Sequence, residues 1–431
     1  MPGLRVQAGR GGEVSKFIIV DQGLFCELPK TLKQQGAHDA SYFSYWASAF
    51  PSQFQLQVGV GFIGVRRVNS FYDLIGKDYT WIMPDILSGD LAVYLENIGE
   101  RAWSARFAED VENFRVECKE LFEELKIPSP KYEVVTGITA LRKYLKTHEN
   151  VWIKISLIRG MAETWRSENL KFSEGKLDRI ARDLGPWKET QEFLVEESVP
   201  DSVEISYDGY SIDGQYPKKT VFGVEIKSES YFCIALDYEH LPPQVRDYNS
   251  KIAPTLKDYH CRSNTPCEMR VTADGEYKSI DPCLREGSPS FGAKLNLISN
   301  WPAIYEGGAR GEVIEPEFVD KCAMEIVLYS ETAKTEALPI HFPPKYRDFL
   351  KFRYACEIDG IVYVLPQPCP NGTLGTIAVT GKDWDECKDK IMEIREEVKA
   401  EGLESSAEAI DKTKEEWEKL TNDFNIKLPK I

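Results

Sequence analysis

Two carboxylates and a guanidinium lie close together in the stretch Cys267–Arg285, CEMRVTADGEYKSIDPCLR. Cys267, Met269 and Val271 alternate with Glu268, Arg270 and Thr272, the period of a strand with one buried face. Asp274-Gly275 follows, a strong hairpin signal. If those two residues form the loop, Ala273 faces Glu276, Met269 faces Ile280 and Glu268 faces Asp281. Directly opposed residues have Cβ atoms about 5 Å apart, where like charges repel. Two carboxylates held that close ask for a cation. As hard oxygen ligands they suit Mg²⁺ shared with a substrate phosphate better than Zn²⁺. Arg285, past Asp281, can supply a fixed positive charge to the same anion. The plainer alternative is a solvated hairpin whose acids pair with Arg270 or Lys278.

The elements that must position such a site span a chain of 431 residues, long enough for two to four domains. A hydrophobic content of 42% and a charged content of 28% describe a soluble globular protein. The net charge of −16 argues against broad nucleic-acid binding, which needs a basic surface. A local basic pocket for a phosphorylated ligand remains open. The ten cysteines are scattered without a C-x-x-C pair, and His260, Cys261 and Cys267 have poor spacing for zinc. Reduced thiols in a cytoplasmic protein are expected, with a polar, disordered start over residues 1–15 and no membrane span.

Strand and helix alternate in the first hundred residues. KFIIV (Lys16–Val20) reads as a buried strand, Leu24–Gln35 as a helix, Phe71–Ile75 as a short helix, Tyr79–Ile82 as a strand and Asp90–Asn97 as a helix. That order implies a small parallel sheet with helices on both faces. Gly59-Val60-Gly61-Phe62-Ile63-Gly64 matches a dinucleotide fingerprint but comes too late after the first strand, so a glycine-rich turn is the better reading. Ala105–Lys126 reads as one amphipathic helix, with Arg115 and Lys119 as a basic pair on its other side. In the strand Val151–Ser156, Lys154 sits among apolar neighbours and must reach an anion or water. Ser156–Thr164 then reads as a flexible loop with Gly160 and Arg159. Strands follow at Gln191–Val195, Ser202–Ser206, Val221–Ile226 and Tyr231–Ala235. Gly307–Gly311 reads as a loop. Trp384–Ala400 and Ser405–Asn422 read as acidic helices, with Met392, Val398, Ile410 and Trp417 inward.

This order of parts resembles the ATP-grasp ligases from Lys16 to about Leu403. The nearest likeness is to the glycinamide ribonucleotide synthetase branch and its shorter phage versions. E-M-R…Y-K-S-I-D-P-C-L-R at Glu268–Arg285 and the spacing of Arg115 before Ile127-Pro128 carry the likeness. The resemblance implies α/β plus α+β architecture. Residues 16–104 would form a Rossmann-like preATP-grasp domain, 105–310 the nucleotide and Mg core, and 311–431 a small C-terminal α+β domain. It further implies ATP and Mg²⁺ as cofactors, small-molecule carboxylate and amine substrates, and purine-biosynthesis-like chemistry through an acyl phosphate. Arg115 and Lys154 would grip the nucleotide phosphates, and the strand at Gln191–Val195 (Glu192, Phe193 and Leu194 at its centre) would read the adenine edge. Glu204 would hold the ribose hydroxyls, Glu268 and Asp281 the metal, and Arg285 and Lys154 the transferred phosphoryl.

The sequence departs from that pattern in places. Cys283 stands where the family has asparagine, Asp281 replaces a glutamate and Arg115 a lysine, and the phosphate-covering loop has a single glycine. These departures leave open a degenerate ATP-binding protein that keeps the fold without turnover. A protein that binds no nucleotide is disfavoured by the interior lysine and the facing acids.

Overall fold

Lys16–Asp21, buried from Phe17 onward, is the central strand of a five-stranded sheet in the computed structural model, which describes residues 15–45, 53–156, 164–367, 372–424 and 426–429. The sheet runs Val65–Arg67, Asp39–Ser44, Lys16–Asp21, Thr80–Ile82, Arg101–Trp103, and every pair is parallel. The expected α/β unit is therefore present, although the sequence reading located two of its five strands. The glycine run leads into Val65–Arg67 as a turn and opens no helix. Strand order reverses between Lys16–Asp21 and Thr80–Ile82, so a crevice opens beyond their carboxyl ends, beside Asp21 and Asp85.

The long helix expected over 105–126 is broken. A short 3-10 turn at Arg106–Ala108 leads to helices Glu109–Asn113 and Arg115–Glu124, with Phe114 extended between them at φ −104, ψ 96. The break re-aims the second helix. Arg115 and Lys119, which a continuous helix presents to solvent, are 7% and 2% exposed.

Residues 132–197 build a four-stranded antiparallel sheet in the order Tyr132–Thr136, Glu192–Glu197, Val151–Lys154, Thr164–Ser167. It has its own core, in which Ile138, Leu141, Ile153, Leu177, Phe193 and Val195 are buried together. Leu177 comes from the helix Leu170–Leu184, capped by the Asn169 side chain accepting from the Phe172 N–H at 3.0 Å. The covering loop expected at 156–164 falls mostly on residues 157–163, outside the described residues.

A nine-stranded sheet makes up the rest of the frame. Its order is Tyr277–Pro282, Cys267–Thr272, Ser202–Tyr207, Lys219–Ile226, Ser230–Asp237, Cys322–Tyr329, Thr373–Gly381, Leu350–Phe352, with Glu404–Ser405 also on Cys322–Tyr329. The sheet crosses the boundary expected at residue 310. Ser230–Asp237 and Cys322–Tyr329 pair from Ser230↔Ile326 to Ile234↔Cys322, so the C-terminal strands share one sheet with the site strands. Gly307 and Gly308, expected in a loop, lie inside the helix Trp301–Ala309. There Trp103 packs so closely on Gly308 that a Cβ would sit 2.4 Å from its ring.

The helices Trp384–Glu397 and Ala409–Glu418 cover one face of the large sheet, with Trp384 and Trp417 packed 4.4 and 5.2 Å from Phe232. Burying such side chains contributes about 1.5–3 kcal/mol each. The opposite face, bearing Gly223, Glu225 and Tyr231, is partly covered by the helix Phe291–Leu297 and otherwise opens toward the four-stranded sheet. Among the described residues the cysteines are unbridged, no His/Cys/Asp/Glu cluster of three converges as a metal site, and no helix is long and apolar enough to cross a membrane.

Candidate functional site

Glu268 does face Asp281, by a different route from the one the turn signal gives. The tight loop has three residues, Ala273–Gly275: the Thr272 N–H bonds the Glu276 carbonyl at 3.0 Å, and Gly275 takes φ +82. Pairing is thereby displaced by one, so that Met269 faces Ser279 and not Ile280. A β-bulge at Ile280 then restores the count before Glu268. The two offsets cancel. The bulge also frees the Ile280 carbonyl, which accepts a hydrogen bond from Lys154 Nζ at 2.9 Å.

Lys154 points inward. It is 1% exposed, and its ammonium also reaches Asp281 Oδ1 at 2.9 Å and Glu196 Oε2 at 2.8 Å. Arg115 Nη1 holds the same Asp281 oxygen at 2.9 Å, and Lys119 holds Glu196 Oε1 at 2.5 Å. The re-aimed helix, the strand Val151–Lys154 and the hairpin thus meet in one buried network of alternating charge. Burial alone would raise the Asp281 pKa, but Lys154 and Arg115 outweigh it and hold the carboxyl well below its usual range. Burial would likewise depress Lys154, and Asp281 and Glu196 keep it protonated.

Glu268 accepts from Lys227 at 2.8 Å and lies 3.7 Å from the Cys283 thiol, which donates toward it. Arg270, the partner that the plainer reading offered to Glu268 or Asp281, instead donates to Glu204 at 2.5 Å. Arg285 is clamped by Glu112 at 2.8 Å, with Asp85 at 3.8 Å. That contact sets Arg285 beside the crevice of the parallel sheet.

Two adjoining cavities open around these groups. One, of about 780 Å³, is walled by Lys154, Glu196, Glu204, Lys227, Glu268 and Asp281. The other, of about 520 Å³, shares Lys227, Glu268 and Asp281 and adds Arg115, Glu225 and Arg285. Both have the size of organic-ligand sites.

The structure therefore gathers Arg115, Lys154, Glu204, Glu268, Asp281 and Arg285, as expected. It does not bring Glu192, Phe193 and Leu194 to the cleft. Glu192–Glu197 is an inner strand, with Tyr132–Thr136 paired along Glu192–Glu196 and Val151–Lys154 along Leu194–Glu197. Glu192 is exposed, Phe193 points into the small core, and Leu194 borders neither cavity. The cleft wall comes from the continuation Glu196–Pro200, where the chain leaves the sheet. Proline at 200 and the turn toward Ser202 are the sequence signals for that exit. Lys119, Glu196 and Lys227 are site residues that the sequence reading did not assign. Lys119 is legible as the i+4 partner of Arg115, and Lys227 as the cation ending a strand beside the facing acids.

Neither a comparison with known protein families nor one with curated proteins found a match. Solved structures do match over nearly the full chain. Phosphoribosylamine–glycine ligase from Thermotoga maritima is 15% identical with a TM-score of 0.63, covering 90% of this chain and 98% of that one. The biotin carboxylase domain of 2-oxoglutarate carboxylase from Hydrogenobacter thermophilus, solved with MgADP and bicarbonate, is 10% identical with a TM-score of 0.65, covering 96% and 99%. L-amino acid ligase from Bacillus licheniformis is 13% identical with a TM-score of 0.59, covering 90% and 99%. The chain has the ATP-grasp fold. A parallel N-terminal sheet precedes two antiparallel sheets that face each other across a charged cleft.

Proposed function

We propose that this protein is an ATP- and Mg²⁺-dependent ligase that joins a carboxylate to an amine. One observation carries the reading: Arg115, Lys154 and Lys227 converge on Asp281 and Glu268 at the meeting of two cavities. Basic groups paired with acids at the mouth of an organic-sized cleft suit a polyanion bound together with a divalent cation. Two carboxylates fit Mg²⁺, which needs only one or two from the protein when phosphate oxygens complete its shell. Bound there, MgATP supplies the phosphoryl group and the metal charge that neutralises its transfer.

The protein's own groups do the positioning. Arg115, Lys154 and Lys227 would hold phosphate oxygens in place of their present carboxylate partners, and Glu268 and Asp281 would hold the metal. Ser198 and Val199, beyond the last ladder pair Val151↔Glu197, replace Glu192–Leu194 as the backbone that reads a nucleobase edge, and Glu204 faces the ribose. Arg285, fixed by Glu112, holds the carboxylate to be activated. Its oxygen attacks the γ-phosphorus, the bond to ADP breaks, and an acyl phosphate forms. The amine then attacks the acyl carbon and loses its proton, and phosphate leaves. No nucleophilic side chain is required.

The test is release of ADP and phosphate when the protein is incubated with MgATP, pooled amino acids and candidate amines. Glycine with a phosphorylated amine is the first pair to try, as in the glycinamide-type coupling, and other amino acid–amine pairs follow. Stabilisation by MgATP without ADP release under any combination would favour the degenerate nucleotide binder, to which the Cys283 thiol on Glu268 lends support. Absence of both effects refutes both readings.

A further inference from the structure

Three buried carboxylates line the site face of the large sheet, and two are satisfied within the fold. Asp208 accepts from Ser206 Oγ and Tyr231 Oη at 2.6 Å and from Ser290 Oγ at 2.8 Å. Tyr231 reaches it by lying flat over Gly223, where a Cβ would sit 2.5 Å from the ring. Glu325 accepts from the Ser290 and Ala293 backbone N–H groups at 2.9 and 2.6 Å. The third, Glu225, is only 8% exposed and lines the 520 Å³ cavity. It receives no hydrogen bond and forms no ion pair among the described residues. Lys227, the cation that acts on it through space, donates to Glu268 instead. Burial, and Glu268 after it, push the Glu225 pKa well up. An unpaired carboxylate in such a place costs stability, and the fold supplies no partner to offset that cost.

We infer that Glu225 is the recognition group for the cationic end of the amine substrate. The inference rests on the ligase reading and names a site within the same cleft. The occupant is an organic ammonium and not a second metal ion for two reasons. Glu225 does not converge with Glu268 and Asp281 as a three-acid metal cluster among the described residues. The cavity it lines has room for an organic molecule, and its walls carry both signs, with Arg285 for the activated acid and Glu225 for the amine. Placed on the strand Lys219–Ile226, one residue past the ladder pair Ile205↔Val224 and so on the strand beside the one that carries Glu204, Glu225 sets the amine next to the nucleotide cleft.

The experiment compares the full-length protein with Glu225→Gln. Wild type is first supplied with MgATP, pooled amino acids and hydroxylamine, a small neutral nucleophile at neutral pH that captures acyl phosphates as hydroxamates. Primary amines, namely the amino acids and ethanolamine, are then titrated as acceptors in both proteins. In Glu225→Gln the KM for the amine rises at least about tenfold, a loss of about 1.4 kcal/mol of binding. The preference for amine over hydroxylamine falls by the same factor, stabilisation by MgADP matches wild type, and the melting temperature of the unliganded protein is not lowered. An unchanged amine KM overturns the assignment while leaving the ligase reading intact. Loss of MgADP stabilisation also overturns it, because Glu225 then belongs with the nucleotide and metal. Absence of hydroxamate from wild type sinks the ligase reading, and the amine site falls with it.

Discussion

Replacing Lys154 or Lys227 by methionine separates what the charged network does for the fold from what it does for a ligand. Both lysines border the 780 Å³ cavity, and each holds an acid at 2.8–2.9 Å. Their surroundings differ. The Lys154 side chain is 1% exposed, whereas that of Lys227 is 58% exposed. A contact at about 3 Å with an effective dielectric of about 20 is worth about 5–6 kcal/mol of Coulomb attraction, most of it offset by desolvation. Removing one partner of a buried pair costs about 3–5 kcal/mol. Here Asp281 keeps Arg115 and Glu196 keeps Lys119, which reduces the loss to about 2–3 kcal/mol. Lys154→Met therefore lowers the melting temperature by several degrees, at about 2–4 °C per kcal/mol in domains of 150–250 residues. Lys227→Met removes a pair whose cation is exposed, worth about 1 kcal/mol, and shifts the unliganded protein less than Lys154→Met does. Both variants lose the stabilisation given by MgATP. Scanning calorimetry with and without MgATP reads both effects. Equal destabilisation by the two substitutions, or full MgATP stabilisation retained by Lys154→Met, would refute the reasoning.

On the proposed ligase reading, Asp281→Asn removes one of the two carboxylates assigned to the metal and should lower turnover by roughly two to three orders of magnitude, measured as ADP release. The same change alters the acid limb of stability. The folded pKa of Asp281 lies below its unfolded value, so its contribution is full above about pH 4 and fades as pH falls toward the folded value. A urea series between pH 2.5 and 6 should show a shallower acid loss in the variant. Lys351 behaves in the opposite sense: it is 4% exposed, with burial lowering its pKa to about 8. The unfolded chain then holds more protons between about pH 8 and pH 10.5, so stability rises with pH across that window. Lys351→Met should remove the rise and stabilise the protein at neutral pH by up to about 3 kcal/mol, checked by melting at pH 7 and pH 9.5.

Much of the site was legible in the sequence because its residues sit in strands with clear alternation. Glu268 falls on the polar phase of an alternating strand and a hairpin register sets it opposite Asp281, while Lys154 sits between Ile153 and Ile155 and has to be met by an opposite charge. Their surroundings were less legible. The bulge at Ile280 and the three-residue loop leave no distinct mark in the sequence, and their compensation is visible only in the ladder. The break at Phe114 is equally silent, since Arg115–Glu124 continues the helical period of the residues before it. The break leaves Arg115 on Asp281 and Lys119 on Glu196, contacts with partners distant in the sequence. The shift of the cleft wall from Glu192–Leu194 to Glu196–Pro200 reflects which end of the strand borders the cavity, a tertiary fact. In the parallel sheet, the strands Val65–Arg67 and Arg101–Trp103 are too short to show a period. Across residue 310, the segment Arg310–Lys321 leads into Cys322–Tyr329, which pairs in the same sheet as the strands before it, a continuity that has no local mark in the sequence.

That shared sheet constrains how the chain can be made and cut. A fragment ending near residue 310 would leave Ser230–Asp237 with a row of unsatisfied amides along a hydrophobic border, an invitation to aggregate. On the ribosome, the sheet that carries the candidate site stays unfinished until residue 381 has emerged and Thr373–Gly381 has paired with Cys322–Tyr329. A piece cut at residue 310 is therefore not a closed unit, because Cys322–Tyr329 and Thr373–Gly381 complete its sheet.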